Sequence, residues 1–359
     1  MNNIWLRPSG KQHPSGYDIY DLAADAFRLG VCADQLRRVT DPAEQRALFK
    51  GFVRRVVIET SSYCNRRCRF CPNADGSRLG ARRTLPQEQF IAVVEDLAEI
   101  DFDGLILFHL YNEPLANPAI FDEVTLARQK LPNSKLHFNS NGDYIRPGTL
   151  ARLAEAGLSS LHISIYGPEH GVFDLPYVAD RVADMAEICG LPRESAKWLS
   201  PLECRATGVF SKDDLRLPVT IQARNFNEVG YDRGALVDID GIPAQFQRRT
   251  PCPSPFDELL LTWNGAAVPC CNIVGDKPEH AAFTIGRLQG RGSIFALYAD
   301  SPLVDWRRSL LKFADHQGPC AACTRMAKEV DVLDSRHLAF NALADKLLLQ
   351  AITDGTDKS

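Results

Sequence analysis

The chain has 359 residues, of which 45% are hydrophobic and 24% charged, and its formal net charge at pH 7 is -4. This composition is typical of a globular protein with a proper core, and it lacks the basic footprint of a nucleic-acid-binding protein. No apolar run approaches the roughly 18 residues that span a bilayer, and the first residues lack the apolar segment of a signal peptide. We therefore expect no nucleic acid and no membrane among the partners.

Cysteine occurs 11 times. An odd number in a chain without an export signal argues against a disulfide framework. The count instead predicts metal or redox chemistry in a reducing, cytoplasmic location.

Residues 1–50 predict a helical N-terminal extension with an apolar stripe, made of Tyr20, Leu22, Ala23, Phe27 and Leu29. From residue 51, short apolar strands alternate with amphipathic helices. The predicted strands are Val56–Glu59, Leu105–Tyr111, Lys135–Asn139, Ser160–Ile165 and Leu217–Ala223, and the predicted helices are Gln87–Ile100, Ala119–Gln129, Gly148–Ala156 and Tyr177–Ile188. This alternation predicts parallel βα units, which fit an open sheet or a partial barrel. Polar residues at the carboxyl ends of the strands favour the barrel, because a curved sheet directs them into one lumen.

The first predicted strand runs into a loop with three closely spaced cysteines, Cys64, Cys68 and Cys71. Three thiolates can surround one face of an iron-sulfur cube and leave one iron open. An open iron can chelate an amine and a carboxylate, which S-adenosylmethionine (SAM) carries at its methionyl end. The alternatives are a zinc site or three unrelated buried thiols, but zinc requires a fourth ligand, and none follows within the next turn.

The pattern CxxxCxxC, with the aromatic Phe70 before the third cysteine, resembles the radical SAM superfamily. The resemblance implies an α/β fold with a partial (β/α)6 TIM-type barrel and the cluster loop after its first strand. It implies SAM and a SAM-binding [4Fe-4S] cluster as cofactors. In that family the cluster reduces SAM and releases a 5'-deoxyadenosyl radical, so a flavodoxin or ferredoxin-type electron donor is expected.

Three turns resemble the SAM-binding turns of that family. Tyr111-Asn112-Glu113-Pro114 stands where the family has GGEP, Ser140-Asn141-Gly142 resembles its TNG turn, and Ser164-Ile165-Tyr166-Gly167 resembles its SxDG stretch. The SAM-binding residues implied are Phe70, Tyr111, Asn112, Glu113, Asn141, Ser164 and Tyr166. We expect Glu113 to accept from the SAM ammonium group, and Arg224 to pair with the SAM carboxylate or an acidic substrate. His109, His137 and His162 are expected to be structural.

Residues 189–214 interrupt the alternation of strands and helices. They predict either an insertion that covers the substrate or a solvent-exposed surface loop. Beyond them, Cys252, Cys270, Cys320 and Cys323 follow one another at intervals of 18, 50 and 3 residues. Four thiolates can hold a fully ligated cluster, and the spacing alone also fits zinc. A turn at Trp263-Asn264-Gly265, between Leu259–Leu261 and Ala266–Val268, predicts a hairpin that brings Cys252 and Cys270 to one end.

This cysteine segment resembles the twitch domain, the shortened relative of SPASM, which implies one auxiliary [4Fe-4S] cluster and favours Cys270 over Cys271 as a ligand. The expected domains are 1–50, the barrel at 51–245, the twitch domain at 246–326 and a helical tail at 327–359. The apolar stripe of that tail predicts a helix that closes the barrel, packs on the twitch domain or forms a dimer contact.

Twitch-containing relatives include dehydrogenases and epimerases of aminocyclitols and sugars, so a small-molecule substrate is implied. We expect hydrogen abstraction from a carbinol carbon and epimerisation, with Cys271 or Cys204 as the hydrogen donor. The alternatives are dehydrogenation to a ketone with the auxiliary cluster as electron acceptor, a peptide or protein maturase, and a non-catalytic electron carrier.

Overall fold

A ten-stranded sheet organises the computed structural model, which describes residues 31–80, 82–167, 173–242, 246–325, 330 and 332–356. The strands are β1 (Arg55–Ile58), β2 (Leu105–Leu107), β3 (Lys135–Ser140), β4 (Ser160–Ile165), β5 (Lys197–Ser200), β6 (Glu203–Lys212), β7 (Leu215–Arg224), β8 (Glu258–Leu261), β9 (Ala266–Val268) and β10 (Gly286–Arg287). Their order is β10-β9-β8-β1-β2-β3-β4-β7-β6-β5. The strands from β8 to β7 in that order are parallel, and antiparallel pairs extend both edges.

Helices alternate with the parallel strands along the chain. They are α1 (Pro42–Phe52), α2 (Gln87–Glu99), α3 (Ile120–Lys130), α4 (Thr149–Glu155), α5 (Leu175–Ile188), α6 (Phe226–Val229), α7 (Ser254–Asp257), α8 (Ser293–Ala299), α9 (Leu303–Leu310) and α10 (Ser335–Thr356). Helix α5 begins where the Asp174 carboxylate accepts from the backbone N–H of Tyr177 at 2.9 Å, which satisfies one of the unpaired donors of the first turn.

Successive side chains of each strand point to opposite faces of the sheet. One face packs against the helices and is called the helix face, and the other is called the lumen face. Leu136 and Phe138 of β3 and Ile163 of β4 are fully buried on the helix face. The intervening side chains, including His137 and His162, lie on the opposite face, because successive residues of a strand point to opposite sides. The α/β class and the partial-barrel architecture are therefore confirmed, although the sheet of the described residues is not closed.

Strand β2 is shorter than predicted. It ends at Leu107 instead of Tyr111. The backbone N–H of Leu110 donates to the Asn112 side chain at 3.0 Å and so forms a local turn instead of a sheet hydrogen bond. The apolar stripe predicted between Tyr20 and Leu29 lies outside the described residues.

Residues 189–214 form β5 and β6, which extend the sheet edge beyond β7 in antiparallel register. That this stretch covers the substrate stays a prediction. Cys204 and Ala206 are buried on its helix face. A Cβ at Gly208 would lie 2.5 Å from Leu191 Cδ2, so the Leu191 side chain would have to shift to admit a larger residue.

The C-terminal region continues the same sheet, because β8 pairs with β1 in parallel. Helix α10 packs Leu347 and Ala351 against Leu36, Phe256 and Leu311 in a second core cluster, so the tail lies on the cysteine-rich C-terminal region and on the N-terminal segment. None of the helices described is both long enough and apolar enough to cross a membrane.

We predict that Leu347→Ala lowers the free energy of unfolding by about 3 kcal/mol, because it leaves a cavity in this second cluster. Leu349→Ala on the same helix is the matched control, since Leu349 is 63% exposed whereas Leu347 is 3% exposed. Denaturant unfolding of both variants measures the difference. Equal stability of the two variants would show that α10 does not pack as described.

Candidate active site

The first candidate centre is the cysteine loop that follows β1. The backbone N–H of Cys71 donates to the carbonyl of Cys68 at 2.9 Å, which curls the loop around its three thiols. The loop is anchored by Arg66, whose Nε and Nη2 each donate to the carboxylate of Asp143 at 2.6 Å. Burial raises the pKa of Cys64 to about 11. A buried, all-thiol donor set on one curled loop fits an iron-sulfur cluster with three protein ligands.

Glu113 lies beside this loop and is 2% exposed. Its carboxylate accepts from Ser140 Oγ at 2.8 Å, and from the backbone N–H of Asn141 at 2.7 Å. Leu115 donates a third hydrogen bond at 3.0 Å. These three donors favour the ionised carboxylate and so lower its pKa. Burial has the larger effect and raises the pKa of Glu113 to about 7. Glu113 thus ties the turn after β2 to the turn after β3, and ammonium binding by its carboxylate stays a prediction.

The other residues of the predicted SAM site converge on the same edge. Asn112 donates to Ser61 Oγ at 3.3 Å and Asn141 to Asn65 Oδ1 at 2.7 Å, so both amides brace the cysteine loop. Ser164 is a buried residue at the end of β4. These contacts are consistent with the predicted site without testing SAM binding itself.

An aromatic cluster flanks the cysteine loop. The ring centroid of Phe70 lies 5.4 Å from that of Tyr166 and 5.0 Å from that of Phe226, a residue that the sequence did not single out. Burial raises the pKa of the Tyr166 hydroxyl, so this tyrosine is neutral. Arg224 is half-buried at the end of β7 and its role stays a prediction. The three rings form an apolar wall suited to an adenine ring.

A buried ion network that was not predicted lies under the cysteine loop. Arg78 Nη1 lies 2.6 Å from Glu59 Oε1, and Arg78 Nη2 lies 2.9 Å from Asp276 Oδ1. Glu59 also accepts from the backbone N–H of Tyr111 at 2.9 Å, and Asp276 accepts from Trp263 Nε1 at 3.1 Å. The network thus joins the cysteine loop, β1, the turn after β2 and the C-terminal hairpin.

The second candidate centre is a cavity on the C-terminal side. Its lining includes the four thiols of Cys252, Cys270, Cys320 and Cys323. Burial and the neighbouring Cys271, Cys252, Cys323 and Cys320 thiols raise the pKa of Cys270. Cys270 therefore lies with the other three cysteines, which supports it over Cys271 as the fourth ligand.

Four thiols can hold either a single ion or a cube. Zinc is held by four sulfurs about 2.3 Å away, whereas a cube binds each thiol through a different iron. Within the part of the chain that the structure describes, no group of three or more His, Cys, Asp or Glu side chains is arranged to hold one metal ion. A cluster at this centre stays a prediction.

Buried cations surround the second centre. Arg248 is 1% exposed and donates from Nη1 to the carbonyl of Cys323 at 3.2 Å. Arg325 pairs with Glu258 at 2.9 Å. Four thiolates make a cluster site negative, and these guanidinium groups lower the cost of burying that charge.

Tyr111, Arg233 and Cys271 lie between the two centres. The Tyr111 hydroxyl donates to the carbonyl of Cys271. The Arg233 guanidinium lies 5.9 Å from the Tyr111 ring centroid. Burial lowers the pKa of Arg233, but the neighbouring Cys271 and Cys71 thiols raise it. Arg233 Nε is buried without a hydrogen-bond partner among the described residues. The predicted candidate Cys271 is therefore near both centres.

The lumen face adjoining the first centre is polar. Gln222 Nε2 donates to Glu203 Oε1 at 2.8 Å, and Glu203 also pairs with Arg205. Burial, His137 and Arg205 lower the pKa of His162 to about 4, so this histidine is neutral. Its ring has no hydrogen-bond partner in the described part of the chain. The rings of the other two histidines bond protein groups, as expected for structural histidines: His137 bonds Ser160 Oγ at 2.7 Å, and His109 Nδ1 accepts from the backbone N–H of Asn139 at 3.0 Å.

Cys204 lies on the other side of the sheet. It is 1% exposed and lines a surface depression with Ala179 and Ala183 of α5. The predicted hydrogen-donor role of Cys204 is wrong in this geometry, because the sheet separates its thiol from the lumen face. Alternation along β6 places Glu203 and Arg205, its two neighbours, on that face.

Comparison with known proteins decides the family. The family model of the radical SAM superfamily matches residues 58–177. The S-adenosyl-L-methionine-dependent 2-deoxy-scyllo-inosamine dehydrogenase of Niallia circulans is 30% identical over 272 residues, which are 75% of this chain and 90% of that protein. The chain belongs to the radical SAM superfamily.

One solved structure supports the fold of this radical SAM protein. BtrN in complex with AdoMet and 2-DOIA is similar with a TM-score of 0.50 and 21% identity, over 72% of this chain and 87% of that chain. SeMet BtrN in an open conformation is similar with a TM-score of 0.49 and 17% identity, over 80% of this chain and 97% of that chain. Family membership confirms the predicted superfamily and implies SAM and a [4Fe-4S] cluster as cofactors.

We predict that Arg78→Met lowers the free energy of unfolding by about 3–5 kcal/mol, because Glu59 and Asp276 keep buried charge without its partner. Arg38→Met is the matched control, since the Arg38–Asp305 pair is exposed and an exposed pair contributes at most about 1 kcal/mol. Anaerobic denaturant unfolding of the metal-free proteins measures both. A loss at Arg78 no larger than at Arg38 would contradict the role given to the network.

Proposed function

We propose that the protein is a radical SAM dehydrogenase that oxidises a secondary alcohol of an aminocyclitol or related polyol to a ketone. The observation that carries the proposal is the four-thiol cavity beside Tyr111, Arg233 and Cys271. Dehydrogenation needs a second redox centre near the substrate, whereas epimerisation needs a thiol donor and no electron acceptor. The name of the Niallia circulans relative supports the same reaction class.

The bound groups supply the difficult chemistry: SAM on the first cluster supplies the 5'-deoxyadenosyl radical, and the auxiliary [4Fe-4S] cluster supplies the electron acceptor. Oxidation of the alcohol removes one hydrogen atom from carbon, one proton from the hydroxyl and one electron. A flavodoxin or ferredoxin-type protein is the proposed source of the electron that SAM cleavage consumes. The protein has to orient the alcohol, accept its charge and exclude water.

Arg233 is the residue of this chain proposed to hold the reacting hydroxyl. Its guanidinium carries several N–H donors in a fixed fork, and a substrate oxygen can accept a hydrogen bond from them. A fixed cation at this point stabilises negative charge on that oxygen as the proton leaves. The proximity of Arg233 to Cys71 and Cys271 supports a substrate position between the two centres.

The lumen face is proposed to hold the rest of the substrate. Glu203 offers a carboxylate for an ammonium group, while His162 and Gln222 offer neutral hydrogen-bonding groups for hydroxyls. A peptide maturase is not supported by any feature of this face. Epimerisation remains a second candidate only through Cys271, because Cys204 lies behind the sheet.

We predict that the double substitution Cys320→Ala and Cys323→Ala lowers the iron content from about 8 to about 4 atoms per chain, because one of two four-iron clusters is lost. Deoxyadenosine formation persists in this variant while ketone formation is lost. Cys68→Ala abolishes deoxyadenosine formation. Anaerobic iron analysis and chromatography measure these changes.

The matched control is Cys189→Ala, because Cys189 is fully buried in the main core and belongs to neither centre. Its iron content should equal that of the wild type. An iron content of about 4 atoms in the wild type, with no change in the double variant, would contradict the auxiliary cluster.

We predict that reaction with an aminocyclitol in deuterated buffer gives a product lighter by two hydrogen atoms, with one deoxyadenosine per product. Cys271→Ala should leave this product unchanged, because no thiol donates hydrogen in a dehydrogenation. Mass spectrometry measures the product. A product that gains one deuterium and is lost in Cys271→Ala would establish epimerisation in its place.

A further inference from the structure

Asn272 connects the substrate-facing Arg233 to the thiols of the auxiliary centre. It is 2% exposed and lies two residues after Cys270. Its side-chain Nδ2 lies 3.2 Å from Cys323 Sγ, and its backbone N–H donates to Cys270 Sγ at 3.4 Å. Its Oδ1 accepts from Arg233 Nη1 at 3.3 Å. One side chain therefore contacts both the cluster site and the proposed substrate site.

The orientation of the Asn272 amide is determined by its partner. Oxygen and nitrogen of an amide are told apart only by the hydrogen bonds that they make. Arg233 has donors and no acceptor, so it selects the Oδ1 end of the amide. The NH2 end must then face Cys323, which makes Asn272 a hydrogen-bond donor to sulfur.

Arg233 itself is held in a fixed place. It has a φ of 52°, a left-handed conformation that few residues other than glycine adopt. Asp232 accepts from the backbone N–H groups of Gly234 and Ala235, each at 3.2 Å. His280 binds the carbonyl of Gly234 at 2.9 Å. A loop pinned at several points keeps Arg233 against Asn272, so the amide cannot turn freely.

We propose that Asn272 is a redox-tuning residue that raises the reduction potential of the auxiliary centre, so that this centre accepts the electron left by substrate oxidation. The inference rests on the proposed function. Reduction adds negative charge to the cluster and its thiolates, and donors to sulfur stabilise that charge. Because Asn272 is buried, no water replaces its hydrogen bond when the side chain is removed.

The test is an EPR-monitored redox titration of the reconstituted holoenzyme without substrate. Asn272→Ala removes the side-chain donor, and we expect the equilibrium constant for reduction of the auxiliary centre to fall about tenfold, a shift of about 59 mV for one electron. Asn272→Asp keeps the shape but adds a negative charge, so its potential should fall further. The potential of the SAM-binding cluster should not change in either variant.

The matched control is Asn117→Ala, because Asn117 is 3% exposed and its Nδ2 bonds Thr60 and Glu123 instead of a thiol. Its auxiliary potential should equal that of the wild type. In the Asn272 variants deoxyadenosine formation should continue while the ketone formed per deoxyadenosine falls. A structural role alone would not shift one potential and spare the other.

An unchanged auxiliary potential in Asn272→Asp with full iron content would overturn the inference, as would an equal shift of both clusters. If the wild type forms the ketone but the Asn272 variants have unchanged potentials, the inference is overturned and the proposed function stands. A shifted potential without ketone formation would overturn the proposed function alone. A wild-type protein that assembles only the SAM-binding cluster would overturn both.

Discussion

The buried guanidinium of Arg78 is the constraint on which both centres depend. It binds Glu59, at the end of the central strand β1, and Asp276, in the segment after the C-terminal hairpin. Such a network is a weak source of net stability, because desolvation offsets most of the Coulomb attraction, but it is costly to break. Its effect is therefore geometric: the cysteine loop and the hairpin cannot move apart without leaving a buried charge. The distance between the two thiol sites is fixed by this contact.

The same reasoning explains how a hydrophobic interior accommodates two groups of thiolates. The second group lies against the buried guanidinium groups of Arg248 and Arg325, and the first lies near Arg233 and Arg78. Guanidinium groups thus lie near both groups of thiols, whereas the helix face of the sheet is apolar. Positive charge beside a thiolate site stabilises its more negative forms.

The sequence predicted what depends on local spacing. The cysteine sets, the parallel βα repeat and the C-terminal hairpin follow from residue intervals and periodicity, and β4 has the predicted bounds. Prediction from the sequence failed where the pairing of distant segments determines the structure. Cys204 and its neighbours carry Pro and Gly signals typical of a loop, yet they form β6, which pairs along its whole length with β7. Arg233 and Asn272 carry no motif of their own, and only the packing of distant segments brings them together.

Tyr111 shows how a departure from the family pattern can be understood. The resemblance expects a glycine there, because Tyr111-Asn112-Glu113-Pro114 stands where the family has GGEP. In the structure the backbone of Tyr111 remains part of the turn, since its N–H binds Glu59 and its carbonyl accepts from Asn73 at 2.7 Å. The added side chain extends to the carbonyl of Cys271 and lies between the Arg78 and Arg233 guanidinium groups. A glycine could supply the turn but not this contact, so the tyrosine joins the turn after β2 to the segment that carries Cys270 and Cys271.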